Sequence, residues 1–199
     1  MLLRRLSSIF LPLMGALALS ACGINSVPTA EEAAKAKWAD VQAQYQRRSN
    51  LIGNLVATVK AAGKQEQETL TRVTEARAKA SSVQINAADL NDPAKVAQYQ
   101  QAQAQLSQGL GRLLATAEAY PDLKTNENFL QLQSQLEGTE NRIAVSIRDY
   151  NEAVQAYNTR IRTFPDAIGA KLIHGAKPMT PFQATTPGAE EAPKVDFGN

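Results

Sequence analysis

FLQLQSQLEGTENRIAVSIRDYNEAVQAYNTRIRTF, residues 129–164, places Phe129, Leu136, Ile143, Tyr150, Tyr157 and Phe164 seven residues apart through five intervals. Leu132, Ile147, Val154 and Ile161 flank that row on the same face. A strict seven-residue apolar repeat keeps one stripe of a helix against its neighbours, which predicts helices packed nearly parallel or antiparallel. Phe164-Pro165 ends the stretch, and Asp166 to Ile173 is expected to add one short helix.

Working back from Phe129, Tyr120-Pro121-Asp122-Leu123-Lys124 interrupts the pattern, because proline cannot continue a helix. Before it, Val96, Tyr99, Gln103, Leu106, Leu110, Leu113, Ala117 and Tyr120 alternate three and four apart. Asp92 is suited to cap that helix and Pro93 to be its first residue. The glutamines between Gln98 and Gln108 are expected on its solvated face. Residues 82–91 are polar and read as a loop.

The first helix is expected to start at Pro28-Thr29, with Thr29 as N-cap and Glu32 completing a capping box. Its stripe reads Trp38, Val41, Tyr45, Ile52, Leu55, Val59, Leu70, Val73 and Ala80. Unbroken to Ser81, it would run some 50 residues, roughly 75 Å. Gly63 is the expected bend, since the stripe is weakest there. The fold class is therefore all-α: an elongated antiparallel bundle of three long helices, the first broken near Gly63, plus a short C-terminal helix. Pro178, Pro181, Pro187 and Pro193, with Gly175, Gly188 and Gly198, predict an unpacked, irregular tail over residues 174–199.

At the other terminus, Arg4 and Arg5 precede an apolar run from Ile9 to Leu19, and Leu19-Ser20-Ala21-Cys22 follows. A basic start, an apolar run too short to span a bilayer and small residues before the cut describe a secretory signal. Cys22 is the single cysteine, and cleavage before a cysteine resembles the lipobox of bacterial lipoproteins. The resemblance implies thioether lipid and an acylated amine, palmitate for example, on Cys22. The expected organisation is a signal peptide at 1–21, a lipidated tether at 22–28, a bundle at 29–173 and the tail. Loss of Arg4 and Arg5 from the 21 basic residues leaves as many as the 19 acidic ones. The basic pI thus gives no support for nucleic-acid binding.

Several separated motifs resemble the LemA family of bacterial envelope proteins, over about residues 38–182. They are Arg47-Arg48-x-x-Leu51-Ile52-x-Asn54-Leu55-Val56, Val73-x-x-Ala76-Arg77-Ala78 and Glu118-x-Tyr120-Pro121-Asp122-Leu123-Lys124. Leu132-x-x-x-Leu136-x-x-Thr139-Glu140-Asn141-Arg142-Ile143 and Tyr150-Asn151-x-x-Val154-x-x-Tyr157-Asn158 follow. The resemblance implies an all-α bundle with an N-terminal membrane attachment and no established activity. Two departures are Gly53, where the family usually has proline, and a lipobox where many members resemble single-pass anchored proteins.

No catalytic constellation is expected. His174 is the single histidine and sits at the edge of the tail, so a His-based zinc site or a Ser-His-Asp triad has nowhere to form. No cofactor and no metal are predicted, and carboxylates such as Glu66 and Glu68, or Asp89 and Asp92, read as solvated groups. Arg48, Arg77 and Glu140 fall on otherwise apolar stripes. An unpaired buried charge is costly, so Glu140 is expected to be buried and to pair with Arg77 or Arg48. That cluster reads either as a device fixing helix register or as a polar pocket. Tyr120, Pro121, Asp122 and Lys124 read as a helix-reversing turn or as an interaction tip.

The function expected from these features is a lipid-anchored, non-catalytic scaffold or interaction protein of the bacterial cell envelope. An accessory regulator of an envelope protease or channel, and a ligand-binding or sensory protein, are the alternatives. Expected partners are a membrane, through lipid on Cys22, and an envelope protein of unspecified identity. The absence of Asp after Cys22 points to the outer membrane, facing the periplasm, in a host with two membranes.

Overall fold

The computed structural model describes residues 2–61 and 67–183, with side chains in the first helix from Asn25 onward. The elements are α1 (Leu2–Ala61), α2 (Gln67–Ser82), a 3-10 turn (Ala87–Asn91), α3 (Pro93–Glu118), α4 (Pro121–Lys124), α5 (Glu127–Arg160) and α6 (Asp166–Leu172). No strand occurs among the described residues, and the fold class is all-α. Among the residues whose side chains are described, from Asn25 onward, no helix is long and apolar enough to cross a membrane.

The chain divides into two compact units. One comprises Met1–Arg48, Asn86–Pro93 and Glu137–Pro181; the other comprises Ser49–Ile85, Ala94–Leu136 and Phe182–Asn199.

In the second unit, α1 and α2 form a hairpin rather than one rod. Along a continuous helix, residues 53 and 77 would be about 36 Å apart. Instead a Cβ built on Gly53 would sit 3.2 Å from the Arg77 guanidinium carbon. The unbroken alternative for the first helix is therefore excluded. The expected bend at Gly63, like Glu66, lies outside the described residues, between the end of α1 at Ala61 and the start of α2 at Gln67. The hairpin buries Ile52, Leu55, Val59, Leu70 and Val73 in one cluster with Leu106, Leu110 and Leu113 of α3 and Phe129 and Leu136 of α5. Each such aliphatic side chain contributes about 1.5–3 kcal/mol on burial. Leu123 anchors the single-turn α4 to this cluster, and Tyr120 packs against its edge. The side chain of Asn126 caps α5 by accepting from the Phe129 N–H at 3.1 Å.

Two expectations about glutamine and capping change here. Gln100 is buried, so the glutamine face of α3 is solvated only in part, while Gln103 is buried as its place in the stripe predicts. Asp92-Pro93 does open α3, whereas Thr29 is no N-cap. The Thr29 hydroxyl donates to the Asn25 carbonyl at 2.7 Å, one turn back within α1. Pro28 removes one intrahelical hydrogen bond, yet Val27 and Ala34 on either side are fully buried and hold the backbone in line. The stretch from Asn25 to Pro28, expected as an extended tether, is thus helical.

In the first unit, α1 and α5 run antiparallel. Arg48 meets Glu140, Trp38 meets Tyr150 with ring centroids 5.5 Å apart, and Lys37 lies 3.6 Å from Asp149. Ile143, Tyr150, Val154 and Tyr157 are buried, but Phe164, the expected last member of their row, is 82% exposed. The reason is that α5 ends at Arg160, and the chain turns before the period is completed. After α6, the helix is terminated at Gly175, whose φ of 55° favours a residue without a Cβ. Residues 175–181 then continue without regular structure but are firmly held, which corrects the expectation of an unpacked tail. The part of that tail beyond residue 183 lies outside the described residues.

Candidate functional site

Arg48 is the one fully buried basic side chain among the described residues, at 2% exposure. Burial of a guanidinium demands compensation, and α5 supplies it. The Arg48 Nη1 donates to Glu140 Oε1 at 3.1 Å, with Oε2 at 3.5 Å. Its guanidinium carbon also lies 4.8 Å from the centroid of the Tyr45 ring, one helical turn back, where the ring's negative face attracts it. Burial pushes the Tyr45 hydroxyl up to about 12; the Arg48 charge pulls against this and Glu140 adds to it.

Glu140 departs from expectation in one respect. Its side chain is 42% exposed, so one end of the pair is buried and the other meets solvent. Thr139, next to it, takes the fully buried position instead.

Arg77 has a different partner. Its Nε donates to the Ser49 carbonyl at 2.9 Å and to Ser49 Oγ at 3.2 Å. The missing side chain of Gly53 makes room for the guanidinium, since any Cβ there would crowd it. In the second unit this arrangement ties α2 to α1. The three charges singled out from sequence thus form two arrangements, one in each unit. A shallow depression of about 250 Å³ does occur, between α2 and α3, lined by Glu68, Arg72, Gln105 and Arg112 among others. None of Arg48, Arg77 and Glu140 lines it.

The remaining candidates have local roles. Tyr120 precedes α4, whose first residue is Pro121; Leu123 points inward while Asp122 and Lys124 are exposed. Glu68 pairs with Arg72, and Asp89 accepts from the Asn86 N–H in a capping box on the 3-10 turn. Among the described residues no group of His, Cys, Asp and Glu could hold a metal ion. The Cys22 side chain lies outside the described ones.

A set of residues in α5 holds the segment after α6, and sequence reasoning assigned it only to the apolar stripe. The Tyr157 hydroxyl donates to the Lys177 carbonyl at 3.0 Å, and the Tyr150 hydroxyl to the Thr180 carbonyl at 3.0 Å. Asn158 grips Met179 from both sides, donating to its carbonyl at 2.8 Å and accepting from its N–H at 2.9 Å. The Thr180 N–H donates to Leu90 in the 3-10 turn at 2.8 Å. Every one of these bonds satisfies a backbone group that has no helix or sheet to do so. Burial raises the Tyr150 hydroxyl well above its ordinary range and shifts the Tyr157 hydroxyl upward too, so both remain donors at any physiological pH. The signal in the sequence was the choice of tyrosine, rather than leucine, at two successive positions of a core row.

Comparison with known proteins adds a family. The chain is 28% identical over 133 residues to protein LemA of Metamycoplasma hominis, covering 66% of this chain and 57% of that protein. It is 27% identical over 157 residues to magnetosome protein MamQ 2 of Paramagnetospirillum magneticum, covering 71% and 58%. Magnetosome protein MamQ of Magnetospirillum gryphiswaldense is similar at 26% over the same length. The chain spans somewhat over half the length of these relatives. The LemA family model matches residues 37–197, a range that takes in Arg48, Arg77, Glu140 and the α5 row, and the chain belongs to the LemA family.

Proposed function

We propose that this is a membrane-anchored, non-catalytic helical protein of the bacterial envelope, acting as a scaffold or interaction partner. The observation that carries the proposal is where the polar side chains go. Arg48 is committed to Glu140, Arg77 to Ser49, and Tyr150, Tyr157 and Asn158 to the backbone of residues 177–180. Groups that an active site would aim at a substrate instead hold helices and a backbone strap together. The MamQ relatives are named for the magnetosome rather than for a reaction, which agrees with such a role.

Attachment rests on Leu19-Ser20-Ala21-Cys22. With lipid on Cys22, two or more acyl chains give stable anchoring, each buried methylene contributing about 0.8 kcal/mol. Mass spectrometry of the membrane fraction should find a mature chain beginning at acylated Cys22, and Cys22→Ala should leave an unprocessed precursor. A mature N-terminus bearing no acyl mass would falsify lipidation. The interaction role is tested by crosslinking in intact cells: recovery of one reproducible envelope protein supports it, and a membrane protease or channel among the products favours the regulator form.

A further inference from the structure

The short helix α6 is amphipathic in the wrong sense for a surface helix. Its inward positions are the small residues Gly169 and Ala170, both buried. Its outward positions are large and apolar: Ile168 is 54% exposed, Leu172 78% and Ile173 60%, with Phe164 at 82% four residues before Ile168. Ile168 and Leu172 lie four apart on one face of α6, and Phe164 precedes that helix in the turn where the Thr163 carbonyl accepts from the Ala167 N–H at 2.8 Å. Single exposed apolar residues need no explanation, but a run of this kind marks an interaction surface.

Two observations say what covers it. The first is charge. From Arg160 through Lys177 there are four Lys and Arg side chains, all exposed, and the single acid Asp166. An apolar face rimmed by cations suits an anionic lipid surface. The second is position. The contacts of Arg48 with Glu140, Lys37 with Asp149 and Trp38 with Tyr150 set the antiparallel register of α1 and α5. Continued along both helices, that register brings Tyr157–Arg160 opposite residues 28–31, and the Tyr157 hydroxyl indeed feels the charges of Glu31 and Lys35. The strap then runs back from this end, since Lys177 meets Tyr157 while Thr180 meets Tyr150. Therefore α6 stands at the end of the first unit from which α1 leads toward the N-terminus. Cys22 precedes Asn25 by about 5 Å of helical rise.

We infer that α6 and Phe164 form a second, interfacial membrane contact beside the N-terminal attachment. The apolar face enters the headgroup region of the same bilayer, and Arg162 and Lys171 draw it to anionic lipid. The inference rests on the membrane-anchored reading, whether the attachment is lipid on Cys22 or the apolar run before it. Two tethers at one end would fix the orientation of the first unit on the membrane, which one lipidated residue would leave free to swing.

The test uses the full chain, purified from bacterial membranes and reconstituted into vesicles of phosphatidylcholine with phosphatidylglycerol. Phe164→Trp places a reporter on the patch, and Val145→Trp places one on an exposed position of α5 about 20 Å short of its end. The wild-type chain provides the baseline of Trp38, which is 2% exposed. Brominated lipid should quench the added emission of Phe164→Trp several-fold more than that of Val145→Trp. Arg162→Glu combined with Lys171→Glu should bring quenching on anionic vesicles down to that on neutral ones. If the chain floats with the vesicles but the Phe164→Trp emission is unquenched, the patch contact is wrong and the anchor stands. A blue-shifted, unquenched reporter would mean that protein covers the patch, either a second copy or the chain's own C-terminal residues, and overturns the inference as well. Equal quenching at both positions rules out a contact specific to this end. Failure to float removes the anchor and the inference together.

Discussion

The main cluster of the second unit is made of side chains such as Ile52, Leu55, Leu106, Leu113 and Leu136, which attract one another without direction, although Ser49, Tyr99, Gln100 and Gln103 of that unit are buried as well. The first unit buries Trp38, Arg48, Tyr150 and Tyr157, and each of these brings a polar atom into the interior. Aliphatic packing tolerates exchange of one hydrocarbon for another provided volume is kept. A core laced with donors is less forgiving, because removing one partner leaves the other buried and unsatisfied. The difference suits two tasks: a hairpin stack that supplies bulk stability, and a unit whose α1–α5 register, strap and terminal helix are specified by individual bonds.

The sharpest challenge to this contrast is a new charge in the first unit. Ile143 is 5% exposed, and the polar groups near it in sequence, Glu140 and Tyr150, already have partners. Ile143→Asp should cost on the order of several kcal/mol and abolish a cooperative thermal transition. Arg142→Ala, at an exposed neighbour, should change stability by less than about 0.5 kcal/mol. Equal losses from the two would mean that the stripe faces elsewhere.

Alkaline titration separates the units without mutation. The Tyr45 hydroxyl is raised to about 12 chiefly by burial, so the neutral phenol is favoured in the folded state. For an acid whose folded pKa lies above its unfolded value near 10, the stabilisation is complete below pH 10 and is lost as pH climbs toward 12. Tyr45 contributes on the order of 2 kcal/mol in this way, and Tyr150 and Tyr157 act in the same direction. Amide exchange followed from about pH 9 to 11.5 should show protection falling around Tyr45, Tyr150 and Tyr157 in the first unit before it falls in the aliphatic cluster around Ile52 and Leu55 in the second. Simultaneous loss in both would erase the distinction.

How far these features were legible in the sequence depends on what each one needed. The row from Phe129 to Tyr157 has a period, and a period alone is enough to specify a buried face. Asp92-Pro93 carries its own capping chemistry and marked the start of α3 to the residue. Charges at Arg48, Arg77 and Glu140 stood out against apolar stripes, but the stripe says nothing of which helix lies opposite. Partner choice is a tertiary fact, and it went to Arg48 for Glu140 and to Ser49 for Arg77. The α1–α2 hairpin was hidden for a related reason: a weak stripe around Gly63 indicates an interruption without telling a bend from a reversal. The strap was missed because prolines were read as excluding packing, whereas they exclude only regular hydrogen bonding. Tyrosine and asparagine side chains on α5 provide the bonds that the strap cannot make for itself.

Asn158→Ala examines that last point. It removes one donor and one acceptor from Met179, whose side chain is buried at 4% exposure. A loss of about 1–3 kcal/mol is expected, confined to the strap. Limited proteolysis should then cut between residues 174 and 183, while the aliphatic cluster of the second unit keeps its exchange protection. Asn158→Asp retains the acceptor for the Met179 N–H but turns a charge toward its carbonyl, so it should not rescue. A variant as resistant to cleavage as the wild type would show that Tyr150 and Tyr157 suffice.

The smallest expected effect belongs to the Arg48–Glu140 pair. A fully buried ion pair stripped of one partner loses about 3–5 kcal/mol. Here Glu140 is 42% exposed, so water can enter where its carboxylate was, and the Tyr45 ring still faces the guanidinium. Glu140→Ala should therefore cost only about 1 kcal/mol, between the surface and buried limits. Salt discriminates between these cases: the wild-type advantage over Glu140→Ala should shrink as ionic strength rises, because the exposed end of the pair is screened. Combining Glu140→Leu with Arg48→Met should recover stability but loosen the α1–α5 register, seen as faster exchange in both helices around these positions. If the double variant is as rigid as the wild type, apolar packing alone sets the register, and the first unit differs less from the second than its polar interior suggests.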